Sequence, residues 1–395
     1  MESKINKSFC IQPFVNVTTR IEGQNNVCCN IALSDSNISQ ESPYSFFNSD
    51  KVRDFKASLL KGEPRKECRL CWFQENKSGH SQRTEYNRYY NIQNNQSNEY
   101  YEKVLEKLRI SKLNNPLYYE FHISNLCNLK CLTCNERDSS RFHAENKALG
   151  VSQDKDANYS VLDQTKIQAL KSAISDDLLF LDIRGGETLM VPEVKKVLLE
   201  VDTQKAKNIT LKIQTNGTIV PDKEWTEILK KFKRTKINVS IDAFGDDNHY
   251  VRYPSDWNKI MNTIEYLKAN KIRFLINTVV SNLNIMILDR LFNWIQKNNY
   301  PNYFYLLYGP SIFRPNNLPK DLLDIAKKRL QNVKMQFVNK DCNQKLSDLI
   351  NLCDNPDTDG NWHSFCKEIQ MRDRYRKNSI TSIMPQRKEY MNAKV

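Results

Sequence analysis

The sequence predicts an α/β fold in which a parallel sheet curls into a partial barrel. Six short β-branched or aromatic runs follow residue 116, over 117–123, 178–183, 209–214, 237–241, 272–280 and 303–307. Amphipathic helical patterns separate them near 163–174, 192–203, 222–232, 256–269 and 284–298. Strands alternating with helices read as βαβ units, and right-handed crossovers bend such a sheet toward a barrel. A third observation is that cysteines, glycines and polar residues collect just after the strand-like runs, where barrel enzymes place their sites.

Residues 1–90 read as a loop-rich domain holding five cysteines, and 91–115 as a polar linker with a connecting helix. The barrel is expected over 116–310. Residues 311–395 read as a helical extension of two or three helices, with a loop at 355–361 and a charged tail. No internal repeat is found.

Composition narrows the function classes. The chain has 395 residues, 39% of them hydrophobic and 27% charged. No apolar run approaches the ~20 residues of a membrane span. The first ten residues lack the apolar core of a signal peptide, so the expected location is cytoplasmic. In that compartment eleven cysteines point to metal, catalysis or free thiols rather than disulfides. Eight of them precede residue 135, which favours metal binding. The net charge of +13 suits acidic partners, but the basic residues are dispersed and form no dense block, so solvated basic faces outweigh a nucleic-acid site.

The strongest motif is Cys127, Cys131 and Cys134, spaced C-x3-C-x2-C directly after the first strand-like run. Three thiolates can hold three corners of an iron–sulfur cube and leave the fourth iron open to a small molecule. By chemistry alone, zinc held by the same cysteines and His122 is the rival. About fifty residues later the second run ends in Gly185, Gly186, Glu187 and Thr188. Paired glycines allow close main-chain approach, and a carboxylate beside them can accept from an ammonium group.

These motifs resemble the radical S-adenosylmethionine (SAM) superfamily. The resemblance implies a six-fold partial β/α barrel and a 4Fe–4S cluster on Cys127, Cys131 and Cys134. It also implies SAM chelating the open iron, and reductive cleavage to a 5′-deoxyadenosyl radical. Gly185, Gly186 and Glu187 are similar to the family's Gly-Gly-Glu-Pro motif, which contacts the methionyl amino group. Thr188 stands where proline is usual. By the same resemblance Asn216, Ser240, Asp242 and Arg252, at or after later strand ends, are further SAM contacts. Arginine suits a carboxylate through charge-assisted pairing. Asn277 and Ser281, on the fifth strand, are weaker candidates. Only Leu132 and Thr133 separate the second and third cysteines, where an aromatic often meets the adenine.

In the N-terminal region Cys10, Gly23, Cys28, Cys68 and Cys71 are spaced C-x12-G-x4-C and then C-x2-C. Four such thiols hold either zinc or an iron–sulfur cluster. The pattern resembles the auxiliary-cluster domains called SPASM and twitch, and implies one auxiliary cluster on Cys10, Cys28, Cys68 and Cys71. Cys29 is spare or an alternative to Cys28. Cys342, Cys353 and Cys366, widely spaced on helical stretches, read as buried small apolar residues.

The resulting expectation is a radical SAM enzyme acting on a peptide, a protein or a small molecule, with an electron donor such as flavodoxin or ferredoxin. Its rivals are SAM-dependent group transfer on the same fold and a zinc-stabilised nucleic-acid-binding protein.

Overall fold

The computed structural model describes residues 8–31, 33, 35–79, 81–89, 115–153, 159, 161–357 and 361–389. The linker and connecting helix expected over 91–115 lie outside these residues apart from Asn115, as do most of the charged tail and part of the loop at 355–361. The chain divides into two compact units. The first comprises Met1–Asn125, Tyr159–Ile213 and Lys223–Thr235; the second comprises Leu126–Asn158, Gln214–Asp222 and Lys236–Val395.

In the first unit the strands are β1 (Asn16–Thr19), β2 (Asn25–Asn26), β3 (Tyr118–His122), β4 (Phe180–Arg184) and β5 (Thr210–Thr215). β2 runs antiparallel to β1, whereas β1, β3, β4 and β5 are parallel in that order. Each crossover carries a helix, as a parallel pair requires. Side chains alternate between faces along a strand. Tyr119, Phe121, Leu181, Ile183, Leu211 and Ile213 are fully buried on one face and form its core. The opposite face is charged. The register aligns Thr18, Glu120, Asp182 and Lys212 in one row across it, and His122 with Arg184 in the next.

That row is a buried ionic network. Asp182 pairs with Arg184 and Lys212, both at 2.7 Å, and accepts from the Tyr118 hydroxyl at 2.6 Å. Glu120 pairs with His122 at 2.8 Å and stands 3.6 Å from Arg184. Burial alone would raise the Asp182 pKa, but Arg184 and Lys212 outweigh it and hold the carboxyl well below the usual range. Burial acts the same way on Glu120, and Arg184 and His122 depress it.

Residues 8–89 are more regular than the loop-rich expectation. Helices span Pro43–Phe47, Asp50–Lys61, Arg69–Ser78 and Gln82–Tyr89. In Asp50–Lys61, Val52, Phe55 and Leu59 are fully buried at helical spacing; Ser49 caps its start and Gly62 ends it in the left-handed conformation. β1 and β2 were not expected. Their sequences are short and polar, and β1 is a strand because β3 supplies its ladder partners.

In the second unit β6 (Arg234–Ser240), β7 (Phe274–Val280) and β8 (Asn302–Leu306) are parallel in that order. Helices Trp257–Ala269 and Leu288–Lys297 follow β6 and β7 in the chain. An unexpected helix spans Ser140–Leu149. Lys320–Gln331, Asp341–Leu352 and Trp362–Arg376 supply the helices expected near the C-terminus. Cys342, Cys353 and Cys366 are at most 2% exposed, as the small-apolar reading requires. Among the described residues no helix is long and apolar enough to cross a membrane.

Candidate metal centre

The second unit opens with the cysteine loop, whose main chain is tied down closely. Ser139 donates to the Leu129 carbonyl at 2.6 Å, Lys130 N–H to the Tyr253 carbonyl at 2.6 Å, and Leu132 N–H to the Val251 carbonyl at 3.0 Å. The Leu129 amide lies 3.4 Å from the Cys127 sulfur. Cys131 is buried; Cys127 and Cys134 are half-buried. Burial, then the neighbouring Asp138, Cys131 and Cys127, hold the Cys134 thiol well above its ordinary range. Burial also raises Cys131, against the opposing charge of Arg252. Sulfurs in such surroundings ionise when a metal supplies the missing positive charge. Among the described residues no group of three or more His, Cys, Asp or Glu side chains is placed to hold a single metal ion.

Three other candidates surround this loop. The Asn216 amide donates to Asn128 at 2.7 Å and lies 3.9 Å from the Cys127 sulfur. Its oxygen accepts from Thr218. Arg252 Nη1 pairs with Asp242 at 2.8 Å, and both side chains are largely buried. Asp242 also accepts from the Val279 amide at 2.8 Å. Arg252 Nε is buried and has no hydrogen-bond partner among the described residues. An orphaned guanidinium donor is costly, and a carboxylate ligand would satisfy it. The Ser240 hydroxyl accepts from Gln214 at 2.6 Å. Asn277 is buried and its side-chain oxygen has no hydrogen-bond partner among the described residues; the Ser281 hydroxyl accepts from the Leu283 amide at 3.2 Å.

In the first unit Gly185, Gly186 and Glu187 follow β4. Gly185 has φ +98°, and a Cβ there would stand 2.8 Å from the Ser124 carbonyl oxygen. The close approach at this glycine is thus made by the chain's own main chain at the end of β3. Gly185→Ala should cost roughly 2–3 kcal/mol of stability, read by urea denaturation. Glu187 is fully buried and accepts from the Leu189 amide at 3.1 Å.

The same unit brings the N-terminal cysteines together. Cys10, Cys28, Cys68 and Cys71 line one cavity with Phe55 and Tyr86, and among the described residues no carboxylate lines it. Burial raises Cys68 to about 11 and also raises Cys10 and Cys71. A hydrogen bond with Cys29, then burial, raises Cys28; the same bond lowers Cys29. Cys29 is not among the cavity-lining residues and accepts from Gln82 at 3.1 Å. Besides these four thiols, Gln12, Gln82, Arg83 and Tyr86 line the cavity, and thiols are the donors an iron–sulfur cluster takes.

The segment 75–83, to which the sequence alone assigns no physical role, supports this cavity. Glu75 takes the Arg83 guanidinium and the Ser81 hydroxyl, Arg83 donates to the Phe9 carbonyl at 2.9 Å, and its guanidinium lies 4.5 Å from the Trp72 ring centroid. Arg83 therefore ties the segment before Cys10 to the helix carrying Cys71. The acid and the arginine are eight residues apart on different helices, so no local pattern marks the pair.

Residues 121–295 match the Radical SAM superfamily. The matched segment is under half of the chain and contains Cys127, Cys131 and Cys134. The enzyme class expected from the sequence agrees with this match, which specifies no particular reaction. No curated protein matches the chain.

Among solved structures, "Native anSMEcpe with bound AdoMet" is 21% identical, covering 53% of this chain and 57% of its own, with a TM-score of 0.39. SuiB of Streptococcus suis bound to S-adenosylmethionine is 17% identical, covering 69% and 61%, with a TM-score of 0.38. TYW1 with a lysine-pyruvate adduct is 18% identical, covering 52% and 70%, with a TM-score of 0.28. The chain thus spans less than two thirds of the first two, and TM-scores below 0.5 at such identities establish no shared function.

Proposed function

We propose that the protein is a radical SAM enzyme whose catalytic 4Fe–4S cluster is held by Cys127, Cys131 and Cys134. The superfamily match over the segment containing these cysteines carries the reading, and the bare Nε of Arg252 supports it. These cysteines would hold the cluster, which when bound would supply the electron for cleavage of SAM to methionine and a 5′-deoxyadenosyl radical. The chain's part is to hold and orient. Asn216 and Asn128 brace the loop beside Cys127. Asp242 fixes Arg252, leaving Nε to receive a carboxylate. The roles of Gly185, Gly186, Glu187 and Ser240 toward SAM rest on the sequence motif.

We read Cys10, Cys28, Cys68 and Cys71 as ligands of one auxiliary, twitch-like 4Fe–4S cluster. Their shared cavity, lined by no carboxylate among the described residues, supports that reading. The substrate is a peptide, protein or small molecule, reached with an electron donor such as flavodoxin or ferredoxin in the cytoplasm.

Anaerobic metal analysis of the reconstituted full chain tests the assignment. Two clusters of this type hold about eight irons per chain. Replacing both Cys68 and Cys71 with serine should remove about half of them and spare the rest. Zinc in place of iron at both sites would contradict the proposal.

A further inference from the structure

Lys130 lies between two of the cysteines, and its side chain ends on Glu145, which is fully buried. Three cations converge on that single carboxylate. Lys130 Nζ is 2.6 Å from it, Arg372 Nη1 2.7 Å and Arg376 Nη2 2.7 Å. Arg372 also pairs with Glu368 at 2.6 Å. Both arginines belong to the helix Trp362–Arg376, more than 220 residues beyond Glu145 in sequence. Arg376 also donates to the Lys130 carbonyl at 2.8 Å, the peptide oxygen immediately before Cys131. The Lys130 ammonium and the Arg376 guanidinium both lie over the Tyr253 ring, at 5.4 and 5.1 Å from its centroid. Tyr253 in turn accepts from the Lys130 amide.

Buried ion groups of this kind add little net stability over well-packed apolar residues. They do fix geometry, because every partner has a defined direction. Here the geometry fixed is that of the loop carrying Cys127 and Cys131, and the fixing charge is positive.

We propose that Arg376 is a positioning residue of the cysteine loop: from the C-terminal helix it locks the Lys130–Cys131 peptide through Glu145 and lends its positive charge to whatever the cysteines bind. The charge part rests on the cluster assignment above; the locking part does not. A cation beside a cluster favours its reduced, more negative state, so removing it lowers the midpoint potential.

The test compares Arg376→Met, Arg376→Lys and Lys130→Met with the native full chain. In Arg376→Met, Glu145 keeps Lys130 and Arg372, so the fold has support; Lys130→Met leaves the main-chain bonds untouched. In metal-free protein, exchange of the Lys130 and Leu132 amides should quicken about 10-fold in Arg376→Met, the scale of one lost charge-assisted hydrogen bond. In reconstituted protein, the SAM-responsive EPR signal should titrate at a more negative potential in Arg376→Met and Lys130→Met, and near the native value in Arg376→Lys. Unchanged exchange overturns the locking role, and unchanged potentials overturn the charge role. A native protein with no SAM-responsive signal overturns the cluster assignment and the charge role with it, while the exchange result still decides the lock.

Discussion

Cys131→Ala is expected to bring 5′-deoxyadenosine formation down to background in dithionite-reduced, reconstituted protein. Cys131 is the most buried of the three cysteines, and its removal leaves two thiolates where a cube needs three. The loop itself should persist. The Lys130 and Leu132 amides keep the Tyr253 and Val251 carbonyls, and alanine is only slightly smaller than the lost side chain. Loss of activity should therefore come with a native melting temperature and with the N-terminal metal retained. Cys342→Ala is the matched control: it removes a fully buried thiol outside the cysteine loop and should keep full cleavage. Product is measured by anaerobic single-turnover chromatography, and wild-type product from Cys131→Ala would remove the loop from the chemistry.

Asp182→Ala is expected to cost about 3–5 kcal/mol, because it strips Arg184 and Lys212 of the carboxylate they share within the first unit. The Tyr118 hydroxyl loses its acceptor as well. Urea denaturation checks the value, and a loss under 1 kcal/mol would show the network to be solvated. The same network dictates an acid response. Asp182 and Glu120 both have folded pKa values depressed below their unfolded ones. Their contribution is complete above the ordinary carboxylate range and is lost as pH falls through that range toward the depressed folded values. Stability of the native protein should decline below about pH 4–5, and the decline should be shallower in Asp182→Ala.

The six strands after residue 116 and the five helices between them were legible because period-two and period-3.6 patterns alternate cleanly there. The helix Ser140–Leu149 was not legible. Its buried face is Phe142, His143, Glu145 and Asn146, so charge and amide groups stand where apolar residues would announce a helix. Arg372 and Arg376 hide for the same reason: a buried arginine reads as a surface residue until its acid is known. Asp242 and Arg252 were each visible as candidates, but their pairing is a tertiary fact that spacing does not carry. The paired glycines read from sequence as room for a ligand; the Ser124 carbonyl, a further reason for glycine at Gly185, is a tertiary contact that the sequence does not show.

The proposed chemistry requires that an iron held by Cys127, Cys131 and Cys134 keep an open position that SAM fills. The EPR spectrum of the reduced protein, recorded with and without SAM, tests it most directly. SAM should change the spectrum of one cluster, and the change should disappear in Cys131→Ala. A spectrum indifferent to SAM, from protein carrying its full complement of iron, would contradict it.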